Sequence, residues 1–346
     1  MSLRVGVVGT GMIGRDHIRR LTSVVAGVEV VAVADVDDGA AAAVAGEVGA
    51  DVLAGSRLVE DPRVEAVLVC SWGGTHEEYV LAAIGAGKSV FCEKPLATTP
   101  EACLRIVEAE VGAGRRLVQV GYMRRYDLGY RALKRELDGG AIGEPLMMHC
   151  AHRNAGVPAF YRAADMIADT AVHEIDMVRW MFGAEVVAVR VLRGRASGNA
   201  GELPDPLLLI LELAGGVLVD VEISVNARYG YDIRGEILGE EGTAALGEAL
   251  GGGVTVRHAG RVGSRVAADW RERFGPAYDT ELREWVAGVR AGSPPDGPSA
   301  WDGYAAATVA AAAQLSLRTH ERVLISSVAQ PALYRVSWAA PGPDRE

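Results

Sequence analysis

Residues 4–14, Arg4-Val5-Gly6-Val7-Val8-Gly9-Thr10-Gly11-Met12-Ile13-Gly14, decide the reading of the first third of this chain. A short apolar run typical of a strand (Arg4–Val8) passes directly into GxGxxG, and helical spacing begins at Met12 and continues to Val25. Each glycine has a separate job. Gly9 permits the tight turn, Gly11 lets backbone approach a pyrophosphate, and Gly14 lets the helix pack closely on the strand. The N–H groups of Met12 and Ile13, at the helix N-terminus, then meet the negative phosphates. The next strand, Val28–Ala34, ends in Asp35, 21 residues past Gly14. A carboxylate there accepts from both ribose hydroxyls and repels a 2′-phosphate. Val36 follows it, and Asp37 and Asp38 add negative charge. The stretch predicts an NAD site in preference to an NADP site.

Working outward, strand and helix patterns keep alternating: Gly39–Val48, Ala66–Cys70, His76–Gly85, Ser89–Cys92, Pro100–Val111 and Leu117–Val120. That alternation is the signature of a parallel βαβ sheet. After Gly121 it changes. Helices are expected near Gly129–Leu137, Thr170–Phe182, Tyr278–Val289 and Trp301–Leu317. Strands are expected at Pro145–Ala151, Leu207–Leu213, Val217–Val225, Gly235–Leu238 and Val254–His258, with Ala214-Gly215-Gly216 as a hairpin turn. The fold class is an α/β N-terminal Rossmann domain over 1–121. An α+β C-terminal domain with a large, mostly antiparallel open sheet follows over 122–346, its final helix returning near 301–318.

With 346 residues the chain holds about two domains. Lys plus Arg is 35 against 45 for Asp plus Glu, a formal charge of −10 that argues against nucleic acid and anionic membrane as partners. Hydrophobic residues at 49% and charged residues at 23% suit a folded globular protein. Cys70, Cys92, Cys103 and Cys150 form no CxxC, so no zinc ribbon or redox motif is encoded and reduced, buried thiols are expected. The chain enters a strand pattern by residue 4 and has no run of 18 apolar residues, so a cytoplasmic location without a transmembrane span is expected.

Two later elements carry the chemistry. Phe91-Cys92-Glu93-Lys94-Pro95 ends a strand where open α/β sheets bind their ligands, and Pro95 restrains the backbone of Lys94. In Asp169-Thr170-Ala171-Val172-His173-Glu174-Ile175-Asp176, Asp169 and His173 stand four apart on an expected helix face. Read alone, Lys94 is a solvated surface charge, Asp169 an N-cap and His173 a core or surface histidine. One histidine with scattered carboxylates falls short of a metal-ligand set, so no metal is expected.

The GxGxxG start, Glu93-Lys94-Pro95 and the Asp169–His173 segment together resemble the Gfo/Idh/MocA family of NAD(P)-dependent sugar and polyol oxidoreductases. Ser71-Trp72-Gly73 with His76-Glu77, Phe91–Thr99, Val118–Asp127, Ile142–Asn154 and Gly297–Tyr304 narrow the likeness to members that oxidise inositols. Tyr229–Ile233 and Asp269–Asp279 extend it through the second half. The resemblance implies a catalytic set of Lys94, Asp169 and His173, and cofactor contacts that add Ser71, Trp72, His76 and Glu93 to the glycine loop, Asp35 and Val36. It also implies a substrate site lined by Arg124, His152, Asn154, Thr170, Tyr231 and Tyr278, and a homotetramer packed through the open sheet.

The expected reaction is oxidation of myo-inositol to its 2-keto form. His173 is the base, Asp169 orients its ring, Lys94 stabilises the developing alkoxide and NAD takes the hydride. Competing expectations are another cyclitol or an aldopyranose as substrate, and an NAD-binding sensor without turnover. The sensor would lack the Lys or His that are both present.

Overall fold

A computed structural model describes residues 2–247 and 255–335. The first sheet is built from β1 (Leu3–Val8), β2 (Val28–Ala34), β3 (Asp51–Val52), β4 (Ala66–Val69), β5 (Ser89–Glu93) and β6 (Val118–Gly121). Their connections carry α1 (Met12–Ser23), α2 (Asp38–Val48), α3 (Gly55–Glu60), α4 (His76–Gly85) and α5 (Pro100–Ala113). Strand order is β3-β2-β1-β4-β5-β6, every neighbouring pair parallel. All residues of β4 and β6 are buried, as helices on both faces require of a parallel sheet, which is why these segments read as continuous apolar runs. Asp37 caps α2, accepting from Gly39 N and Ala40 N at 2.9 and 3.0 Å.

After β6 come α6 (Leu128–Asp138), β7 (Pro145–Arg153), a π-helical turn (Met166–Ala171), α7 (Val172–Phe182), β8 (Val186–Arg193), β9 (Leu207–Leu213) and β10 (Leu218–Ser224). β11 (Asp232–Gly239), β12 (Thr243–Ala245), β13 (Thr255–His258), β14 (Arg261–Ser264), α8 (Trp270–Arg290), α9 (Ala300–Thr319) and β15 (Val323–Leu324) complete the described chain. Val254, expected to open the strand at β13, lies outside the described residues.

The second sheet runs β12-β11-β7-β10-β9-β8-β15, antiparallel except where β10 lies parallel to β7. The β9–β10 hairpin turns through Gly215 and Gly216, both at positive φ (95° and 96°), where a side chain would strain the backbone. One face of this sheet is covered by α7, α9 and the π turn; the opposite face is open. No described helix is long and apolar enough to cross a membrane.

The two halves interlock. Helix α8 starts at Trp270, eight residues before the Tyr278 start expected from periodicity, because Asp269 caps it and wholly buried Phe274 holds its first turns despite Pro276. Farther along, Leu282, Trp285 and Val286 of α8 pack into a cluster with Val5, Val7, Ile18, Leu21 and Phe91, closing one face of the first sheet. Just before α9 the chain runs beside β6, with Val120 N donating to Pro298 O at 2.7 Å.

Candidate active site

The carboxyl ends of β1, β2, β4, β5 and β6 open onto one edge, so Gly9, Asp35, Ser71, Lys94 and Tyr122 emerge together at the switch point where α/β sheets take ligands. Gly9 has φ 96°, and a Cβ there would lie 2.5 Å from the backbone of Cys70 and Ser71. A Cβ on Gly14 would lie 2.0 Å from Gly9 O, so helix and loop close up only because both residues are glycine. Gly11, by contrast, would meet nothing within 4 Å. It is the N-cap of α1 without a side-chain cap, which leaves the Met12 and Ile13 N–H groups uncapped beside open space.

One oxygen of Asp35 accepts from Thr10 N (2.6 Å) and Thr10 Oγ1 (2.9 Å), and the other from Asp37 N (3.0 Å). Partial burial pushes its pKa up, but these donors outweigh it and hold the carboxyl below its ordinary range. Met12, Val36 and Trp72 are 64%, 98% and 78% exposed, an unusual set of bare apolar side chains around one loop. Uncapped helix N-terminus, open Gly11, ionised Asp35 and apolar flanks fit a dinucleotide.

Lys94 leaves the end of β5 and reaches the π turn, where Nζ donates to Asp169 Oδ1 at 2.5 Å. Burial lowers the ammonium's pKa, yet the Asp169 carboxylate more than offsets it, and the net direction is upward. The Lys94 charge in turn holds Asp169 below its ordinary value. The other Asp169 oxygen accepts from Tyr161 Oη at 3.2 Å, and Tyr161 Oη lies 2.6 Å from Thr170 Oγ1.

His173 is 8% exposed, and its buried Nδ1 has no hydrogen-bond partner among the described residues. Burial, reinforced by Lys94, Arg124 and His152, pushes its pKa well below 6.5, so the ring is neutral at neutral pH. The expected Asp169–His173 contact does not form. A π turn lengthens the helical repeat between the two residues, so four positions no longer stack them on one face, and Lys94 captures the carboxylate instead.

Behind the cleft lies a buried polar network. Arg124 pairs with Glu174 and donates to His152 Nδ1 at 2.9 Å; His152 Nε2 lies 3.2 Å from Asn154 Oδ1. The His152 ring sits 6.3 Å from that of His173 and meets Tyr231 edge-on at 5.6 Å. Burial keeps His152 neutral.

Lys94, Asp169, Thr170, His173, His152, Asn154 and Tyr231 are thus brought together. Other expected residues stand elsewhere. Arg124, 1% exposed, is the supporting cation behind His152 and does not line the cleft, because a buried guanidinium must be paired and Glu174 does so. Tyr278 packs on His17 and Trp270 against α1. His76 is buried, its ring nitrogens 2.8 Å from Pro95 O and 2.9 Å from Ser71 O, so it joins two loops. Glu93 is buried, with one carboxyl oxygen on His17.

Sequence reading missed Glu174, Tyr161 and His17. Glu174 was legible only as part of a helix face, and Tyr161 sits in a loop without periodicity, eight residues before the carboxylate it meets.

A glycine-loop α/β domain joined to an open-sheet domain, with a lysine–carboxylate pair and a neutral histidine facing the nucleotide edge, defines an NAD-dependent oxidoreductase. The oxidoreductase family model with an NAD-binding Rossmann fold matches residues 3–122, and the same family's C-terminal α/β domain matches 134–325. The chain belongs to this Gfo/Idh/MocA oxidoreductase family. It is 52% identical over 336 residues to inositol 2-dehydrogenase 3 of Saccharopolyspora erythraea, covering 96% of this chain and 98% of that one. It is 53% identical over 341 residues to inositol 2-dehydrogenase of Pseudomonas fluorescens, covering 96% and 100%. Among solved structures, myo-inositol dehydrogenase from Lactobacillus casei in complex with NAD(H) and myo-inositol superposes with TM-score 0.94 at 42% identity, covering 97% of this chain and 100% of that one.

Proposed function

We propose that this chain oxidises myo-inositol to its 2-keto form with NAD. The observation that carries the reading is the meeting of the Lys94–Asp169 pair, neutral His173 and the His152–Asn154 pair in one cleft at the end of β5. Near-full-length likeness to proteins named inositol dehydrogenases supports the substrate.

The uncapped N-terminus of α1 and Asp35 would hold NAD, which would supply the acceptor for the carbinol hydride. His173 Nε2 accepts the hydroxyl proton, and its neutral state makes it competent at physiological pH. Lys94 Nζ donates to the reacting oxygen and stabilises negative charge as the C–O bond becomes a carbonyl. Asp169 fixes that ammonium and keeps it charged. Asn154, Thr170 and Tyr231 provide hydrogen-bonding groups for the remaining hydroxyls.

NADH appearance with myo-inositol, scyllo-inositol and glucose, measured side by side, tests this. Highest kcat/KM with myo-inositol is expected. No rise with any of them overturns the reading, and a larger value for scyllo-inositol or glucose reassigns the substrate within the family.

The join between nucleotide and substrate parts belongs, on this reading, at Gly121, with α8 and α9 reaching back across it. The open face of the second sheet carries Val187 (41% exposed), Leu192 (40%) and Leu324 (67%), with a cavity of about 710 Å³ bordered by His149, Asp220 and Arg234. We infer that this face is covered in a homotetramer. Light scattering at four chain masses is expected, and a mass near 36.4 kDa would reject it. The four cysteines are free and buried, which suits the reducing cytoplasm.

A further inference from the structure

His17 lies on α1, six residues into the helix whose N-terminus faces the nucleotide site, and is wholly buried. Its Nε2 is 2.6 Å from Glu93 Oε1, while Glu93 Oε2 accepts from Lys94 N at 3.1 Å. The histidine ring is itself fixed, edge-on to Phe91 at 5.6 Å and tilted against Tyr278 at 5.6 Å. Room for the carboxylate comes from Gly121, which stands opposite Glu93 in the β5–β6 register. A Cβ at Gly121 would come within 3.2 Å of Glu93 Cδ and Oε1.

We propose that His17 and Glu93 form a positioning pair that sets the backbone of Lys94, and so ties the geometry of the catalytic ammonium to the helix that holds the cofactor. The proposal rests on the reading of Lys94 as a catalytic residue. Lysine's four-carbon stem is rich in rotamer freedom, so its head is well placed only if both ends are anchored. Asp169 anchors the ammonium and Glu93 anchors the main chain. A hydrogen-bonded acid and imidazole in an apolar layer with Phe91 are costly to bury, and an apolar pair would fill the same space at least as stably. Their presence is explained by the donor they hold in place, with Glu93 serving as a positioning residue for Lys94.

The experiment compares His17→Ala, His17→Gln, Glu93→Gln, the double variant His17→Ala/Glu93→Gln, Lys94→Ala and Ile18→Ala in the full chain. Ile18 is a neighbouring buried residue of α1 outside the pair and controls for simple loss of packing. His17→Ala and Glu93→Gln are each expected to lower kcat about 10–100-fold with KM for NAD within about threefold of wild type. The double variant should lose no more than the worse single variant, because both act through one anchor. His17→Gln, which keeps a donor, should recover most of kcat, and Ile18→Ala should lower Tm while kcat stays within about twofold. Full activity in both His17→Ala and Glu93→Gln, additive losses in the double variant, or an equal kcat loss in Ile18→Ala would overturn the proposal. If Lys94→Ala itself retained wild-type turnover, the failure would lie in the catalytic reading and not in the pair.

Discussion

At the dinucleotide edge, Gly9, Gly11 and Gly14 lie within six residues, and Thr10 meets Asp35 across 25. In the candidate cleft Lys94 meets Asp169 across 75 residues, and behind it Arg124 meets Glu174 across 50. The first region works largely with backbone: positive φ, uncapped N–H groups and the absence of Cβ atoms. The second works with long ionic side chains from β5, the segment after β6, β7, the π turn and α7. A backbone site tolerates exchange of surrounding side chains but not of its glycines. A side-chain network fails wherever one partner is removed, because the other is left charged or unsatisfied in a poorly solvated place.

The sharpest way to separate the two regions is to remove the reacting groups. Lys94→Ala and His173→Ala should each lower kcat about 10²–10⁴-fold while the NAD dissociation constant, measured by fluorescence titration, stays within about threefold. A parallel loss of NAD affinity would merge the two regions functionally. Next in size is the network behind the cleft. Glu174 also lies 3.0 Å from His152 Nδ1, so Glu174→Ala leaves Arg124 buried without its carboxylate and should cost about 3–5 kcal/mol in urea unfolding, with activity lost through His152 as well. Asp35→Ser, on the nucleotide side, should cost only about 1–3 kcal/mol, read as a KM for NAD about 10–100-fold higher and a narrowed preference over NADP, with kcat at saturation largely kept.

The pH behaviour offers a finer test. Asp169 supports the charged form of Lys94, so Asp169→Asn removes the main influence that raises the lysine's pKa and leaves the burial that lowers it. The basic limb of kcat/KM should move to lower pH, whereas Asp35→Ser should leave it in place.

The smallest expected effect concerns Glu281, wholly buried on α8, whose two carboxyl oxygens have no hydrogen-bond partner among the described residues. Burial, aided by the charge of Glu93, raises its pKa well above 4.5. The folded state therefore keeps a proton that the unfolded state releases above that value. Stability from this group is fully present below about pH 4.5 and declines as pH rises toward the folded value. Glu281→Leu should gain about 1–2 kcal/mol at neutral pH, a difference that shrinks in thermal melts near pH 4. An equal gain at both pH values would place the cause in packing.

Legibility in the sequence follows the same division. The glycine loop, its helix, Asp35 and the parallel strands were readable because their physics is local: turn geometry, periodicity and apolar runs buried on both faces. The hairpin at Gly215-Gly216 was readable for the same reason. Lys94, Asp169 and His173 could be singled out, yet the pairing expected between Asp169 and His173 gave way to Lys94–Asp169. Four-residue spacing implies a shared face only on an α-helix, and a π turn is not visible in residue pattern. Arg124 and His76 were expected to meet ligands; the burial and protein partners that both also have arise from distant segments and were not readable.

The sequence by itself therefore determined the class of fold and the nucleotide, and singled out Lys94, Asp169 and His173 as candidates for the chemistry. Tertiary structure alone decided which carboxylate pairs with which cation, that α8 closes the first sheet, and that Glu93 meets His17. The physical reason is range. Backbone conformation and amphipathic period are properties of neighbouring residues, whereas protonation, ion pairing and burial depend on groups that only folding brings within a few ångströms of one another.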